Sequence, residues 1–346
     1  MLSIIRSRRL FAGLLLVFFA PLLLAASVAD LGTVSVPIAD DSEAELARAL
    51  SAAFQIVLTR LTGTHEVANL PSLGKLRSHA KQYNTLFGYA RDPDGMRTLR
   101  ADFDLPAIIK VLRERGVSVW GKERPEVAVW LVFTDATGRH VTPEPATREV
   151  FDSLTRQATI RAIPLRPVTY DAAGPLLGSA TTEDELFAGL GALASRAGAP
   201  ARLVLLIAPV LDGSGWRARW QLAIDADVQQ GEATGELPIP LVVSSLDKVF
   251  DSVAQHYLQS VDTGSPGVID LWVEGVTSAD AYGRALNYLS HLDVVSRVEV
   301  LGVEGNTLTL RVMAHGGLPA LAQGIGFGQI LAANPDSASH YRLLSP

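Results

Sequence analysis

The sequence predicts an α+β protein: a signal peptide followed by small α/β sandwich domains, the last of them ferredoxin-like (βαββα). Three observations predict it. The chain has 346 residues, more than one ordinary domain holds. Its composition, 48% hydrophobic and 19% charged, is that of a globular rather than a disordered or fibrous chain. Strand and helix patterns succeed one another in the order β-α-α-β-β-α near the start and βαββα(β) near the end.

The first element is an address. Arg6, Arg8 and Arg9 form a basic n-region, Leu10 to Leu24 is almost wholly apolar, and Ser27-Val28-Ala29 fits a small-x-small cleavage site before Asp30. The apolar run of about 15 residues, broken by Pro21, falls short of the roughly 20 that span a bilayer. A cleaved bacterial signal over 1–29 is expected, with an uncleaved inner-membrane anchor as the alternative. Ser7-Arg8-Arg9-Leu10-Phe11 resembles a twin-arginine motif, but the short n-region and leucine-rich core favour the general secretory route. No later stretch approaches a membrane span, so a periplasmic product is expected.

The first folded unit, 30–121, starts with a strand in which Val34, Val36 and Ile38 alternate. Ser42-Glu43-Ala44-Glu45 reads as a capping box, and Leu46, Leu50, Ala53, Val57 and Leu61 follow at helical spacing up to Gly63, a C-cap. A second helix is expected over Leu70 to Gln82. Two strands, Thr85–Tyr89 and Thr98–Phe103, flank the turn Asp92-Pro93-Asp94-Gly95, and Leu105–Arg115 is helical.

The second unit, 122–263, is mixed α/β. Val127–Phe133 and Arg202–Val210 are near-continuous apolar runs, expected as strands buried on both faces. Helices are expected over Thr147–Gln157, from the capping box Thr182-Glu183-Asp184-Glu185 to Ala197, and from Pro240 through Tyr257. Between the last two lie a buried strand and an antiparallel pair, with Trp216, Ala218, Trp220, Leu222 and Ile224 on one face. In the third unit, 264–346, Val268–Val273 leads to a helix capped at Thr277 or Ser278. The hairpin Val294–Val303/Thr307–Val312 turns at Glu304-Gly305-Asn306, an amphipathic segment spans Leu318–Leu331, and a last strand lies near His340–Leu344.

Composition narrows the chemistry. The balance of 30 basic against 36 acidic residues shows no basic stripe for nucleic acid. Zero cysteines exclude a disulfide framework, a thiol nucleophile and a lipid anchor on cysteine. The seven histidines, at 65, 79, 140, 256, 291, 315 and 340, never pair at the spacing of a helical metal site. No GxSxG or Walker sequence occurs, and Gly324-Ile325-Gly326-Phe327-Gly328 lacks the third glycine of a dinucleotide fingerprint and reads as a loop or helix start. Helix capping accounts for the acidic clusters Asp40–Glu45 and Glu183–Glu185. No catalytic, cofactor or metal residue is therefore assigned.

Aromatic residues give the site candidates. Trp120-Gly121-Lys122-Glu123-Arg124-Pro125 joins the first two units, so Trp120 and Arg124 are read as junction packing or as partner contacts. Trp130 follows in the strand; Trp216, Trp220 and Trp272 read as sheet-face residues before a sugar platform.

Val36-Pro37-Ile38-Ala39-Asp40, Val57-Leu58-Thr59-Arg60-Leu61-Thr62-Gly63 and Val117-Ser118-Val119-Trp120-Gly121, with Arg124-Pro125 and Trp130-Leu131, resemble the uncharacterised secreted proteobacterial family catalogued as domain of unknown function 2066. That resemblance implies export and carries no activity or catalytic residues. Leu186 to Val210, followed by a Trp-bearing strand pair and a long helix, is similar in layout to envelope domains of the Tol-system β-propeller protein and of curli-secretion and flagellar-assembly factors. The expectation is a non-catalytic interaction or assembly factor of the cell envelope, with an unidentified envelope protein as partner. The alternatives are an envelope-polymer hydrolase with its site in a domain cleft, or a small-ligand or glycan-binding module.

Overall fold

Three sheets, each with its own helices, follow one another along the chain in the computed structural model, an α+β arrangement. The structure describes residues 31–92, 95–135, 138–141, 147–168, 179, 182–196, 198–210, 213–262, 267–328, 330–334 and 337–345. The signal over 1–29, turn residues Pro93 and Asp94, and the boundary at 263–264 lie outside the described residues.

The first sheet has the order β1-β3-β2, from β1 (Thr33–Pro37), β2 (Asn84–Arg91) and β3 (Arg97–Phe103). The helix α1 (Glu43–Thr62) covers it, burying Leu50, Phe54, Val57, Leu58 and Leu61 against Val34, Val36, Leu99 and Ala101. Its start is a divided capping box. Ser42 Oγ accepts the Glu45 N–H at 3.2 Å, but Glu45 reaches back to the Ala39 N–H at 2.8 Å, while Asp40 takes the Ser42 N–H. Gly63 ends the helix at φ 79°, and a Cβ there would stand 2.7 Å from Ala254 Cβ, so the residue serves both the turn and a close approach of the next unit.

The single helix expected over Leu70–Gln82 is broken. Leu70, restricted by the proline after it, is extended (ψ 139°), and Pro71 opens a 3₁₀ turn. Only α3 (Gly74–Ser78) and α4 (Ala80–Tyr83) form, separated at His79, after α2 (His65–Ala68). The helix α5 (Leu105–Glu114) is capped by Asp104, which accepts the Ala107 N–H at 3.0 Å.

The middle sheet is built from β4 (Val127–Asp135), β5 (Gly138–Val141), β6 (Leu165–Pro167), β7 (Ala201–Pro209), β8 (Trp216–Ile224) and β9 (Asp227–Gly235). Its order is β5-β4-β7-β8-β9, with β6 also on β4. Strands β4 and β7 are parallel neighbours at its centre. Helices α6 (Arg148–Arg161) and α8 (Pro238–Asp262) bury Val129, Leu131, Leu203 and Leu205 on one face. Helix α7 (Glu183–Ser195) buries Ala128, Trp130, Val132 and Val204 on the other. Burial on two faces is the physical reason these strands are apolar without alternation. In α8, Val242, Leu246, Val249, Phe250 and Val253 are fully buried, each contributing roughly 1.5–3 kcal/mol.

The third sheet follows the order β11-β12-β10-β14-β13. It comprises β10 (Gly267–Glu274), β11 (Val295–Glu304), β12 (Thr307–Ala314), β13 (Leu331–Asn334) and β14 (Ser337–Leu343). Helices α9 (Ala279–Ser290) and α10 (Gly317–Gly326) pack on one face over Leu271, Val273, Leu310 and Val312. Strand β12 lies antiparallel between β10 and β11, the split arrangement that βαββα requires. The chain then adds a hairpin: β14 pairs parallel with β10 and pushes β13 to the edge.

The glycine-rich 324–328 stretch is the end of α10 rather than a loop or a helix start. Tyr288 donates its hydroxyl to the carbonyls of Gly324 and Ile325 at 3.3 and 3.2 Å, and any Cβ at Gly328 would overlap its ring. Close packing accounts for Gly328, whereas a Cβ at Gly324 or Gly326 would meet no tight contact.

Candidate functional site

The linker between the first two sheets is held by backbone, aromatic and charged contacts together. The Trp120 N–H donates to the Leu61 carbonyl at 2.7 Å, and its indole joins the core under α6 and α8. Arg124 lays its guanidinium over that ring at 3.8 Å, and both residues are 5% exposed. Both candidates are thus brought together, at the junction and away from solvent.

Two further buried arginines complete the joint. Arg60, from the apolar stripe of α1, donates to the carbonyls of Leu31 and Thr33 in its own unit and of Thr159 and Ile160 in α6. Arg161, at the end of α6, donates to the Gly63 carbonyl at 2.7 Å and pairs with Asp251 and Asp247 of α8. Arg124 ties the linker to the first of them by donating to the Arg60 carbonyl at 2.7 Å. Burial, then the charge of Arg60, lowers the Arg124 pKa to about 9, which leaves it cationic at neutral pH.

The third unit docks on the same linker. Asp293 Oδ2 accepts the Lys122 N–H at 2.5 Å, and the bare backbone of Gly121 makes room for it, since a Cβ would overlap that carboxylate. Glu123 accepts the Asp293 N–H at 3.5 Å. Burial first, and the Asp293 charge second, raise the Glu123 pKa to about 7. The two carboxylates converge on a cavity of about 80 Å³, with Trp120, His315 and Phe327 in its wall. Phe327 meets Tyr257 of α8 edge to face at 5.0 Å, tying the third unit to the middle one.

The remaining aromatic and acidic candidates are dispersed. Trp216 stacks on Phe133 at 5.1 Å and Trp220 is buried under α8, whereas Trp272 lies in another sheet, stacked on His340 at 4.8 Å. No platform unites them. The capping box at Thr182 is complete, and Glu183 and Asp184 also accept hydrogen bonds from Arg217 and Arg219. Among the described residues, no group of three or more His, Asp or Glu stands together as a metal site, and no helix is long and apolar enough to cross a membrane.

Sequence reasoning missed the surface feature. Strand β2 is an edge strand, and Leu86, Phe87 and Tyr89 are 64%, 42% and 49% exposed. Tyr89 and Phe87 stand opposite Leu99 and Ala101, so they continue the core face of the sheet beyond the cover of α1. The signal was present: Leu86 to Ala90 holds no polar residue, a pattern that suits a buried central strand and marks an apolar ledge once the strand lies at an edge.

A family model described as "Domain of unknown function (DUF8605)" matches residues 25–121. The similarity to domain of unknown function 2066 is corrected accordingly: the matched stretch is like a different uncharacterised domain. The short anchors behind that reading report a strand, a glycine-capped helix end and a buried Trp, which are features of a fold and do not single out one family. No curated protein matches the chain. A solved structure titled "Crystal structure of uncharacterized protein" is 9% identical, covering 40% of this chain and 92% of that chain with a TM-score of 0.17, a likeness too weak to carry an argument. The family match thus covers the first unit, to Gly121, and assigns no activity.

Proposed function

We propose that the chain is an exported interaction or assembly factor of the cell envelope, working in the periplasm without catalysing a reaction. The observation that carries this reading is the ledge of Leu86, Phe87 and Tyr89 on the outer strand of the first sheet. Clustered exposed apolar side chains on a regular strand favour a protein partner. The arginine joint supports the same reading, because it fixes the ledge relative to the middle sheet. Export rests on the basic n-region, apolar run and Ala29 cleavage site.

The test is affinity purification of the exported chain after in-cell cross-linking. A stoichiometric envelope protein is expected, lost when Leu86→Lys and Tyr89→Lys are combined. A reproducible turnover abolished by one polar substitution would overturn the non-catalytic reading.

A second reading, ligand or glycan binding between units, draws on a groove of about 540 Å³ between the middle and third units, lined in part by Arg202, Asp225, Pro319 and Gln323. Ligand-dependent thermal stabilisation separates it from the first. The hydrolase reading has less support: the cavity where Glu123 and Asp293 converge is far smaller than the roughly 300–1,000 Å³ typical of ligand sites, and the larger groove carries a single carboxylate, Asp225, in its lining among the described residues.

A further inference from the structure

We propose that two copies of the chain pair through β2, antiparallel and in register about a twofold axis at Gly88. This rests on the reading above and names one partner of the ledge. In the β2–β3 ladder the Asp92 N–H donates to the Met96 carbonyl, and the Ile38 N–H on the far side of β3 donates to the Arg97 carbonyl. Alternation from these two bonds turns the backbone groups of Gly88 and Ala90 toward β3 and those of Phe87, Tyr89 and Arg91 outward. Among the described residues nothing pairs with that outer edge.

The other sheet edges are blunted in ways β2 is not. Arg60 occupies the outer carbonyl of Thr33 on β1. Strand β9 carries Asp227 and Glu232, and β11 carries Arg297 and Glu299 with two register breaks along its length. Strands β5, β6 and β13 are only three or four residues long. In β2 the one irregularity lies at its start, between Asn84 and Leu86, and its one charge, Arg91, lies at its end. The stretch Leu86–Ala90 carries no charge and no register break.

That stretch is complementary to itself in one register. With Gly88 on the axis, Phe87 stands opposite Tyr89 of the second copy, and Tyr89 opposite its Phe87, so the edge-to-face pair at 6.2 Å becomes a cluster of four rings on one face. On the other face Leu86 meets Ala90 of the second copy. Arg91 faces Thr85 of the second copy, and the two Arg91 charges lie at opposite ends of the pairing. No like charges meet.

The chain has no cysteine, so a single introduced thiol reports the register. A Cβ at Gly88 meets nothing within 4 Å, and the Gly88 pair is of the non-hydrogen-bonded kind, whose Cα atoms approach to about 4.5 Å, inside the range a disulfide spans. Purified Gly88→Cys chain is expected to form a disulfide dimer under mild oxidation at least tenfold faster than Ala90→Cys or Gln229→Cys. Sedimentation of the cysteine-free chain is expected to show a concentration-dependent dimer, weakened at least tenfold by Tyr89→Lys, with the unfolding midpoint unchanged at concentrations where both chains are monomeric. A monomer at every concentration, or equal cross-linking at the three positions, would overturn the pairing. A monomer whose β2 still captures a different envelope protein in cells would overturn the dimer and leave the interaction reading standing.

Discussion

The Arg124 guanidinium lies 3.8 Å from the centre of the Trp120 ring, and neither side chain is more than 5% exposed. The cation is held by the ring face and by the carbonyls of Gly121, Trp120 and Arg60, with no carboxylate hydrogen bond among the described residues. Those partners belong to the linker and to the last turn of α1, so the contact fastens the linker onto the first unit. The same indole is part of the core of the second.

Trp120→Ala removes the ring from that core and leaves Arg124 buried without its cover. Unfolding in urea is expected to show a loss of about 3–5 kcal/mol, most of it recovered in Trp120→Phe. An unchanged midpoint would show that the indole does not hold the joint.

Arg161→Met leaves the Gly63 carbonyl without its side-chain donor and separates α6 from Asp251 and Asp247. Those carboxylates retain about a third of their exposure, so the cost is that of lost hydrogen bonds rather than of fully stranded charges, about 1–3 kcal/mol. The surface pair Arg48–Glu45 serves as comparison, and Arg48→Met is expected to change stability far less. Scanning calorimetry of the two variants measures the contrast.

Glu123 carries the pH dependence of the joint. Its folded pKa, about 7, is raised above the ordinary glutamate value of 4.5, so the folded state binds more protons than the unfolded state in that window. The stability linked to this group is complete below pH 4.5 and is lost as pH rises through about 7. Glu123→Gln is expected to flatten stability against pH over that interval and to raise it at pH 8. A variant that keeps the wild-type slope would assign the dependence to another group.

What the sequence made legible was whatever is local. The stripe Leu46, Leu50, Ala53, Val57 and Leu61 and the cap Gly63 define α1 without reference to the rest of the chain, and the double-sided burial of β4 shows in its unbroken apolar run. The break at Pro71 was readable in principle, because a proline keeps the residue before it extended. The joint was not readable. Arg60 sits inside an apolar stripe, and its partners in α6 are backbone carbonyls 99 and 100 residues away, which no side-chain spacing encodes. Nor was the ledge, because Leu86–Ala90 reads as a core strand until the order β1-β3-β2 places it outside.

The most direct measurement places a photo-reactive residue at Tyr89 on β2 and, as controls, at Gln229 on β9 and Lys110 on α5, in the exported chain in living cells. Discrete adducts are expected at Tyr89, with an envelope protein or a second copy of the chain, and not at the two controls. No adduct at Tyr89, or the same adducts at all three positions, would contradict the assignment of β2 as the surface through which this protein works.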